Sequence, residues 1–192
     1  MPSIPLRKRL FDLGGAAAGL LACSPVMAVV AAAIVLEDGG PVLFRQERLG
    51  WHRRAFTVLK FRSMRDGRIT RVGRILRATG LDELPQFINV LRGEMSAVGP
   101  RPLTEADVIR LGWTAPQHDF RWQVLPGLTG LAQVTEASSG RLSLGLDRRY
   151  VSRQTFWLDV RLVAISFAIN ALGKSRVRRL VRSTGRRLLV GL

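Results

Sequence analysis

The chain has 192 residues, which is enough for one ordinary domain with or without a membrane element, and a formal net charge of +16 at pH 7. Its 30 lysine and arginine residues, against 14 aspartate and glutamate residues, imply an anionic partner such as nucleic acid, anionic lipid or a phosphorylated metabolite. One cysteine excludes an internal disulfide and a cysteine-based metal cluster, and two histidines argue against a multi-histidine metal site.

The amino-terminal segment has the composition of a membrane helix. Residues 13–36 carry no charge and follow a basic start, and they are long enough to span a bilayer core of about 30 Å. Ser24 and Pro25 stand in the middle, where a proline removes a helical hydrogen bond and clashes with the preceding turn. Each half is then too short to cross alone, and both flanks are basic. The pattern predicts a re-entrant helix–break–helix, in which Ser24 or neighbouring groups satisfy the freed carbonyls.

Three other interpretations of this segment stay open. A straight transmembrane helix with a tolerated proline fits its length. A cleaved signal peptide fits the basic start, and residues 20–23 resemble a bacterial lipoprotein cleavage box. Either kind of export would carry a very arginine-rich domain outward, against the charge bias.

The next residues have the pattern of a small β-hairpin followed by a helix. Residues 41–46 and 55–61 are predicted strands, joined through residues 50–53. Gly80 is predicted to end the helix. The apolar face of that helix comprises Ile69, Val72, Ile75 and Leu76.

Two adjacent carboxylates, Asp82 and Glu83, stand at the predicted start of another helix. Asp82 is a natural N-cap, and Pro85 suits an early helical position because its missing N–H is no loss there. Further along, Arg101 lies between two prolines, which stiffen its backbone before any ligand arrives. An acidic pair surrounded by arginines suggests chemistry on a phosphorylated substrate.

The carboxyl-terminal half begins with ordered loops and ends with helices. Residues 97–130 are rich in proline and glycine and predict loops with short helices. In residues 156–172 a narrow polar stripe of Asp159, Ser166 and Asn170 lies on a mostly apolar helix. Residues 174–192 carry seven basic residues and no acid, which predicts an in-plane amphipathic helix on anionic lipids. A basic nucleic-acid-binding or disordered tail is the alternative.

Eight motifs follow one another in the chain. They occupy residues 40–42, 45–50, 60–64, 68–73, 81–86, 89–96, 98–102 and 126–134. Together they resemble the bacterial sugar transferase family, the monotopic phosphoglycosyl transferases, and the match runs over residues 6–170. The chain departs from the family in a short connection between Met64 and Arg68, and in Thr135 and Glu136 where relatives have Asn-Gly.

The resemblance implies a specific activity and location. Such enzymes transfer a phosphosugar from a UDP-sugar to a polyprenol phosphate, typically undecaprenyl phosphate, and release UMP, as the first membrane step of glycoconjugate or exopolysaccharide synthesis. They lie on the cytoplasmic face of the bacterial inner membrane, through a re-entrant helix broken at Ser-Pro, here Ser24 and Pro25. The resemblance therefore implies a UDP-sugar donor and a polyprenol phosphate acceptor as partners.

The resemblance also assigns roles to individual residues. Asp82 matches the nucleophile that forms a covalent phosphosugar intermediate, and Glu83 matches a residue that helps hold Mg²⁺. Basic residues that the family uses around the phosphates correspond to Lys60, Arg77 and Arg101. The chemistry is self-consistent, because a carboxylate attacking a diphosphate meets like-charge repulsion that Mg²⁺ and arginines offset. Two displacements in turn also let one site serve a soluble donor and a lipid acceptor.

The chain is thus expected to be an α+β, mostly helical monotopic membrane protein. Its predicted parts are a re-entrant membrane helix at 1–38, a cytoplasmic-face catalytic domain at 39–173 and a basic amphipathic tail at 174–192. Two alternatives belong to other classes, namely a membrane-attached basic nucleic-acid-binding protein and an exported lipoprotein. Because no RNA-stacking motif or recognition helix is found, we expect no nucleic-acid partner.

Overall fold

The computed structural model describes residues 4–135 and 137–172. In chain order the elements are α1 (Leu6–Asp38), β1 (Leu43–Leu49), β2 (Ala55–Phe61), β3 (Met64–Arg65), β4 (Arg68–Ile69), α2 (Arg71–Thr79), α3 (Gln86–Arg92), β5 (Ser96–Val98), α4 (Glu105–Arg110), β6 (Gly127–Thr129), α5 (Leu131–Val134), α6 (Gly140–Ser152) and α7 (Phe156–Leu172). The strands form small two-stranded sheets, β1–β2, β3–β4 and β5–β6. A mostly helical chain with small sheets confirms the predicted mixture of helix and strand.

The amino-terminal segment forms one continuous helix, so the predicted break into two helices is wrong. α1 runs for 33 residues through Ser24 and Pro25 and ends at Gly39, which has φ 81°. Its continuity has a local cause, because the Ser24 hydroxyl donates a 2.8 Å hydrogen bond to the carbonyl of Leu21. That carbonyl is the group that would have accepted the N–H of residue 25, which proline lacks. Ser24 therefore satisfies the freed carbonyl, as predicted.

α1 is also the one helix among the described residues that is long and apolar enough to cross a membrane. Several of its large apolar side chains lie on the surface; Leu21, Val29 and Leu36 are 76, 69 and 87% exposed. In water such exposure is unfavourable, since each large aliphatic side chain gains about 1.5–3 kcal/mol on burial. α1 thus presents an apolar surface that the rest of the described chain does not cover.

Buried polar contacts anchor the start of α1 to the remainder of the fold. Lys8 Nζ lies 2.7 Å from Asp159 Oδ2 of α7, and both side chains are nearly inaccessible. The Tyr150 hydroxyl of α6 lies 2.9 Å from Asp159 Oδ1 and from the Val98 carbonyl oxygen. Asp159 therefore faces the interior and pairs with α1. Asp159, the first residue of the polar stripe predicted on α7, is thus buried in an ion pair with Lys8.

The far end of α1 packs against the same body of the protein. Val30 and Ile34 lie in a buried cluster with Phe61 of β2 and Leu76 of α2. Near the middle, Ala16 lies in a second cluster that includes Val58 of β2. α1 therefore lies along the rest of the fold and does not project away from it.

The predicted hairpin is confirmed, with a longer first strand. β1 pairs antiparallel with β2 in a register that sets Phe44 opposite Lys60 and Arg48 opposite Phe56. Because side chains alternate between the faces of a strand, Arg48 and Lys60 lie on one face of the ribbon together with Val58. That face of the hairpin therefore carries two basic side chains close to each other.

The segment around the acidic pair differs from the prediction. α2 does end at Gly80, which adopts φ 74°. Asp82 and Glu83, however, lie in a separate 3₁₀ turn, Leu81–Glu83, and α3 begins only at Gln86. Asp82 is therefore not the N-cap of the next helix, a position that Pro85 occupies. Its carboxylate is left without the capping bond that the sequence suggested.

Residues 97–130 form ordered loops with a short helix and a 3₁₀ segment, as expected, but they also contain an unpredicted parallel pairing. β5 and β6 lie side by side with Ser96 opposite Gly127. The backbones then approach so closely at Gly99 and Gly127 that a Cβ on Gly127 would lie 2.0 Å from Gly99 N. This contact brings the segment around Arg101 next to the start of α5.

The carboxyl-terminal helix predicted over 156–172 is confirmed as α7. Residues 174–192, predicted as an in-plane amphipathic helix, lie outside the described residues. The prediction for this tail therefore stays a prediction, as does the division of the chain into three parts.

Candidate active site

One pocket collects side chains from the β1–β2 hairpin, the 3₁₀ turn, the Arg101 segment and α5. Its lining comprises Arg48, Val58, Lys60, Glu83, Gln86, Arg101, Pro102, Gly127, Leu128 and Gln133. Four chain segments that are far apart in sequence therefore meet at one place. Cations outnumber carboxylates among these side chains, which suits an anionic ligand.

Three of the five predicted site residues contact one another in this pocket. Glu83 Oε1 lies 2.6 Å from Lys60 Nζ and 4.0 Å from Arg101 Nη2. Glu83 thus accepts a charge-assisted hydrogen bond from Lys60 and holds a second cation at the limit of an ion pair. A carboxylate between two cations keeps both positive groups close together without a ligand.

Asp82 precedes Glu83 in the same turn and is partly buried. Partial burial raises the pKa of the Asp82 carboxyl above its ordinary value, and the neighbouring negative charge of Glu83 adds to this. The positive charges of Lys60 and Arg77 act in the opposite direction. Asp82 therefore has the character of a carboxylate that is desolvated and close to cations.

Arg77 is the fifth predicted residue, and its place is more peripheral. It lies exposed in the last turn of α2 and makes no hydrogen bond or ion pair within residues 4–135 and 137–172. Its charge nevertheless lowers the pKa of Asp82. The structure thus places Arg77 near the acidic pair but outside the direct contact between Lys60, Glu83 and Arg101.

The backbone around Arg101 is held at three consecutive carbonyls. Those of Pro100, Arg101 and Pro102 accept hydrogen bonds from Gly127 N, Arg121 Nη2 and Arg48 Nη1 at 3.0, 3.0 and 3.2 Å. The side chain of Arg101, in contrast, is 56% exposed and lines the pocket. These hydrogen bonds restrain the segment in addition to its two prolines, which supports the predicted stiffness of the backbone.

Sequence reasoning did not identify the residue that lies behind Arg101. Arg121 Nε donates a 2.8 Å hydrogen bond to Asp147 Oδ2 of α6, and both side chains are almost fully buried. Burial raises the pKa of the Asp147 carboxyl, an effect that the Arg121 charge opposes. Arg121 lies outside every motif of the sequence, so no local signal pointed to it.

Two further pocket residues were missed although their motifs were recognised. Arg48 belongs to the motif of residues 45–50, and Gln133 belongs to that of residues 126–134. Arg48 donates to the Pro102 carbonyl, and burial lowers the pKa of its guanidinium. The motifs therefore indicated the correct segments, but only the fold shows which residues of each motif face the pocket.

The acidic pair fits the way in which proteins hold Mg²⁺ at phosphates. Within the described ranges no group of three or more His, Cys, Asp or Glu side chains could hold a metal ion. Mg²⁺ is commonly bound through one or two carboxylates together with substrate phosphates and waters. Glu83 lines the pocket and is 35% exposed on its side chain, so it can reach an ion bound to a ligand there.

Comparison with known proteins adds independent evidence. A sequence model described as bacterial sugar transferase matches residues 4–171. The UDP-glucose:undecaprenyl-phosphate glucose-1-phosphate transferase of Caulobacter vibrioides is 41% identical over 182 residues, which cover 84% of this chain and 68% of that protein. The undecaprenyl-phosphate glucose phosphotransferase of Komagataeibacter xylinus is 41% identical over 187 residues, which cover 84% of this chain and 35% of the relative.

A relative of Aeromonas hydrophila is named for a different sugar. This UDP-N-acetylgalactosamine-undecaprenyl-phosphate N-acetylgalactosaminephosphotransferase is 39% identical over 175 residues, covering 81% of this chain and 41% of the relative. The chain thus spans about two thirds of the Caulobacter protein and less than half of the other two. Since the family match covers most of the chain and the pocket brings the matched motifs together, the chain belongs to the bacterial sugar transferase family.

Proposed function

We propose that this chain is a phosphoglycosyl transferase that moves a sugar 1-phosphate from a UDP-sugar to undecaprenyl phosphate and releases UMP. The observation that carries the proposal is the contact of Glu83 with Lys60 and Arg101, directly beside Asp82. This arrangement provides a carboxylate nucleophile and fixed cations for a diphosphate. The names of the relatives in Caulobacter and Aeromonas agree with such a donor and acceptor.

The reaction proceeds in two displacements at one phosphorus. An Asp82 oxygen attacks the phosphorus that carries the sugar; a P–O bond forms, and the bond to the bridging oxygen breaks with its electron pair leaving on UMP. An oxygen of the polyprenol phosphate then attacks the same phosphorus, and Asp82 leaves as a carboxylate. Lys60 and Arg101 offset the repulsion between attacking and leaving oxygens, because preorganised cations stabilise the charge that develops.

Glu83 is proposed to hold Mg²⁺ together with the donor phosphates. When bound, the ion would withdraw negative charge from the diphosphate and make attack by a carboxylate easier. Glu83 would then exchange part of its contact with Lys60 for the ion, which frees the ammonium for a phosphate oxygen. Lys60 and Arg101 also orient the donor, and this needs no change in the fold because both already lie at the pocket.

A direct assay tests the activity. The first turnover of UMP release should need only the UDP-sugar, whereas continued release should also need undecaprenyl phosphate. Both should depend on Mg²⁺. The donor panel includes UDP-glucose and UDP-N-acetylgalactosamine, since relatives are named for both sugars. If a membrane-reconstituted protein released UMP from none of the UDP-sugars in the panel, the proposed function would be contradicted.

We also propose that the protein is monotopic on the cytoplasmic face of the inner membrane, with α1 inserted from one side. Contacts near both ends of α1 support this, because Lys8 pairs with Asp159 and Ile34 packs against Phe61. A helix crossing a bilayer at a steep angle would carry one end away from a domain attached to the other. Anionic lipids and the absence of nucleic-acid partners stay predictions.

Cysteine labelling in intact cells tests this topology. Cys23 is first replaced by serine, and Leu6→Cys or Ile109→Cys is introduced at an exposed position of α1 or of α4. We expect both cysteines to be protected from an impermeant reagent and to be labelled after permeabilisation. Labelling of residue 6 from outside would rule out the one-sided topology.

A further inference from the structure

The pocket contains a neutral side chain, Gln133, whose two polar atoms are both buried and without a hydrogen-bond partner among the described residues. Gln133 extends from the short helix α5 into the lining shared with Lys60, Glu83 and Arg101. Its amide nitrogen and its amide oxygen are both buried, and neither has a hydrogen-bond partner in the described part of the chain. A carboxamide can donate two hydrogen bonds and accept two, so this is a large unmet capacity at one point.

The local backbone leaves space for this carboxamide. A Cβ on Gly130 would lie 2.8 Å from Gln133 Oε1 and 2.2 Å from the Gly99 carbonyl oxygen. Glycine at 130 therefore allows β5, β6 and the Gln133 side chain to approach one another. A buried polar group without a partner is destabilising, whereas methionine would fill a similar volume without the loss of hydrogen bonds. An unpaired amide at such a position is therefore explained if a ligand completes its hydrogen bonds.

The chemistry of the pocket indicates which part of a ligand Gln133 would meet. Lys60 and Arg101 already suit phosphate oxygens, which only accept hydrogen bonds. Phosphate contact alone would leave the Gln133 carbonyl without a donor. A carboxamide is complementary to a neutral group that presents a donor and an acceptor side by side. In a UDP-sugar this description fits the uracil imide edge and a pair of sugar hydroxyls.

We propose that Gln133 is a donor-binding residue that hydrogen-bonds, through both its amide nitrogen and its amide oxygen, to a neutral polar edge of the UDP-sugar. The inference rests on the proposed function, because it assigns a contact to the same donor. Gln133 then supplies recognition of the neutral part, while Lys60 and Arg101 hold the diphosphate.

The test compares Gln133→Met with the parent protein in matched detergent. UDP-sugar affinity, measured by calorimetry, should fall roughly tenfold or more, since methionine leaves the bound polar edge of the donor buried and unpaired. The unfolding midpoint without ligand should stay the same or rise, because an unpaired polar group is removed. Gln117→Met, at an exposed position outside the pocket, serves as the control and should leave affinity unchanged.

Donor analogues distinguish the two sources of the polar edge. If the imide is bound, methylation at uracil N3 weakens binding to the parent, and Gln133→Met binds methylated and unmethylated donors equally. If sugar hydroxyls are bound, deoxy-sugar donors bind the parent more weakly, and Gln133→Met binds deoxy and unmodified donors equally. N3 methylation then does not give this result. Affinity of Gln133→Met within about twofold of the parent would overturn the inference. Failure of the parent to bind any UDP-sugar would contradict the proposed function, and this inference with it.

Discussion

Replacing Asp82 by asparagine is expected to abolish turnover and the covalent phosphosugar adduct. An amide is a poor nucleophile, and Glu83, which follows Asp82 in the same turn, is the one carboxylate among the lining residues of the pocket. Turnover is measured as UMP release, and the adduct as the mass that the protein gains on incubation with UDP-sugar alone. Asp82→Asn keeps the size of the side chain, so the folded structure should be preserved.

The neighbouring carboxylate provides a matched comparison for this experiment. Glu83→Gln removes a contact with Lys60 and a proposed Mg²⁺ ligand, but it leaves the nucleophile in place. It should slow the reaction and weaken its dependence on Mg²⁺, while the adduct still forms. An Asp82→Asn protein with near-normal turnover would remove the nucleophile assignment.

The pH dependence of adduct formation should reflect the raised pKa of Asp82. The carboxyl attacks only when ionised, and burial together with Glu83 raises its pKa above that of an ordinary aspartate. As pH falls, the rate of adduct formation should therefore begin to decrease at a higher pH than it would for an aspartate with an ordinary pKa. The comparison is made on single-turnover rates, so that later steps do not determine the profile.

The second large effect is expected at Arg101. Arg101→Ala should raise the activation free energy by about 2–4 kcal/mol, as for the loss of one preorganised donor at a developing charge. Arg101→Lys should also lose much of the activity although the charge is kept, because only a guanidinium grips phosphate oxygens with two parallel hydrogen bonds. The measured quantity is kcat/KM for the preferred UDP-sugar in matched detergent.

The backbone contacts explain why these substitutions should act on catalysis and not on folding. Arg121 and Arg48 bond to main-chain carbonyls of this segment, and such bonds persist whatever side chain residue 101 carries. Arg141→Ala, at an exposed position at the start of α6, is the control and should leave activity unchanged. Equal activity of Arg101→Lys and the parent would mean that only charge matters at this position.

Local rules predicted several elements correctly, although the break at Pro25 and the N-cap role of Asp82 were wrong. The hairpin, the end of α2 at Gly80 and the partner of the carbonyl freed by Pro25 all follow from side-chain periodicity or from backbone chemistry within a few residues. The order of the motifs likewise indicated the family and, with it, the residues Asp82, Glu83 and Arg101. The structural inferences depend on short-range interactions, whereas the family and its residues come from the resemblance of the motifs.

Tertiary structure decided what depends on residues that are distant in the chain. Lys8 and Asp159, 151 positions apart, attach α1 to α7, and no periodicity in either segment specifies that pair. The ion pair of Arg121 with Asp147, 26 positions apart, holds the Arg101 backbone from behind. Burial of an ion pair, or of an unpartnered amide such as Gln133, depends on which surfaces meet after packing. The sequence determines such contacts only through the complete fold, because contacts between distant residues leave no pattern in the local sequence.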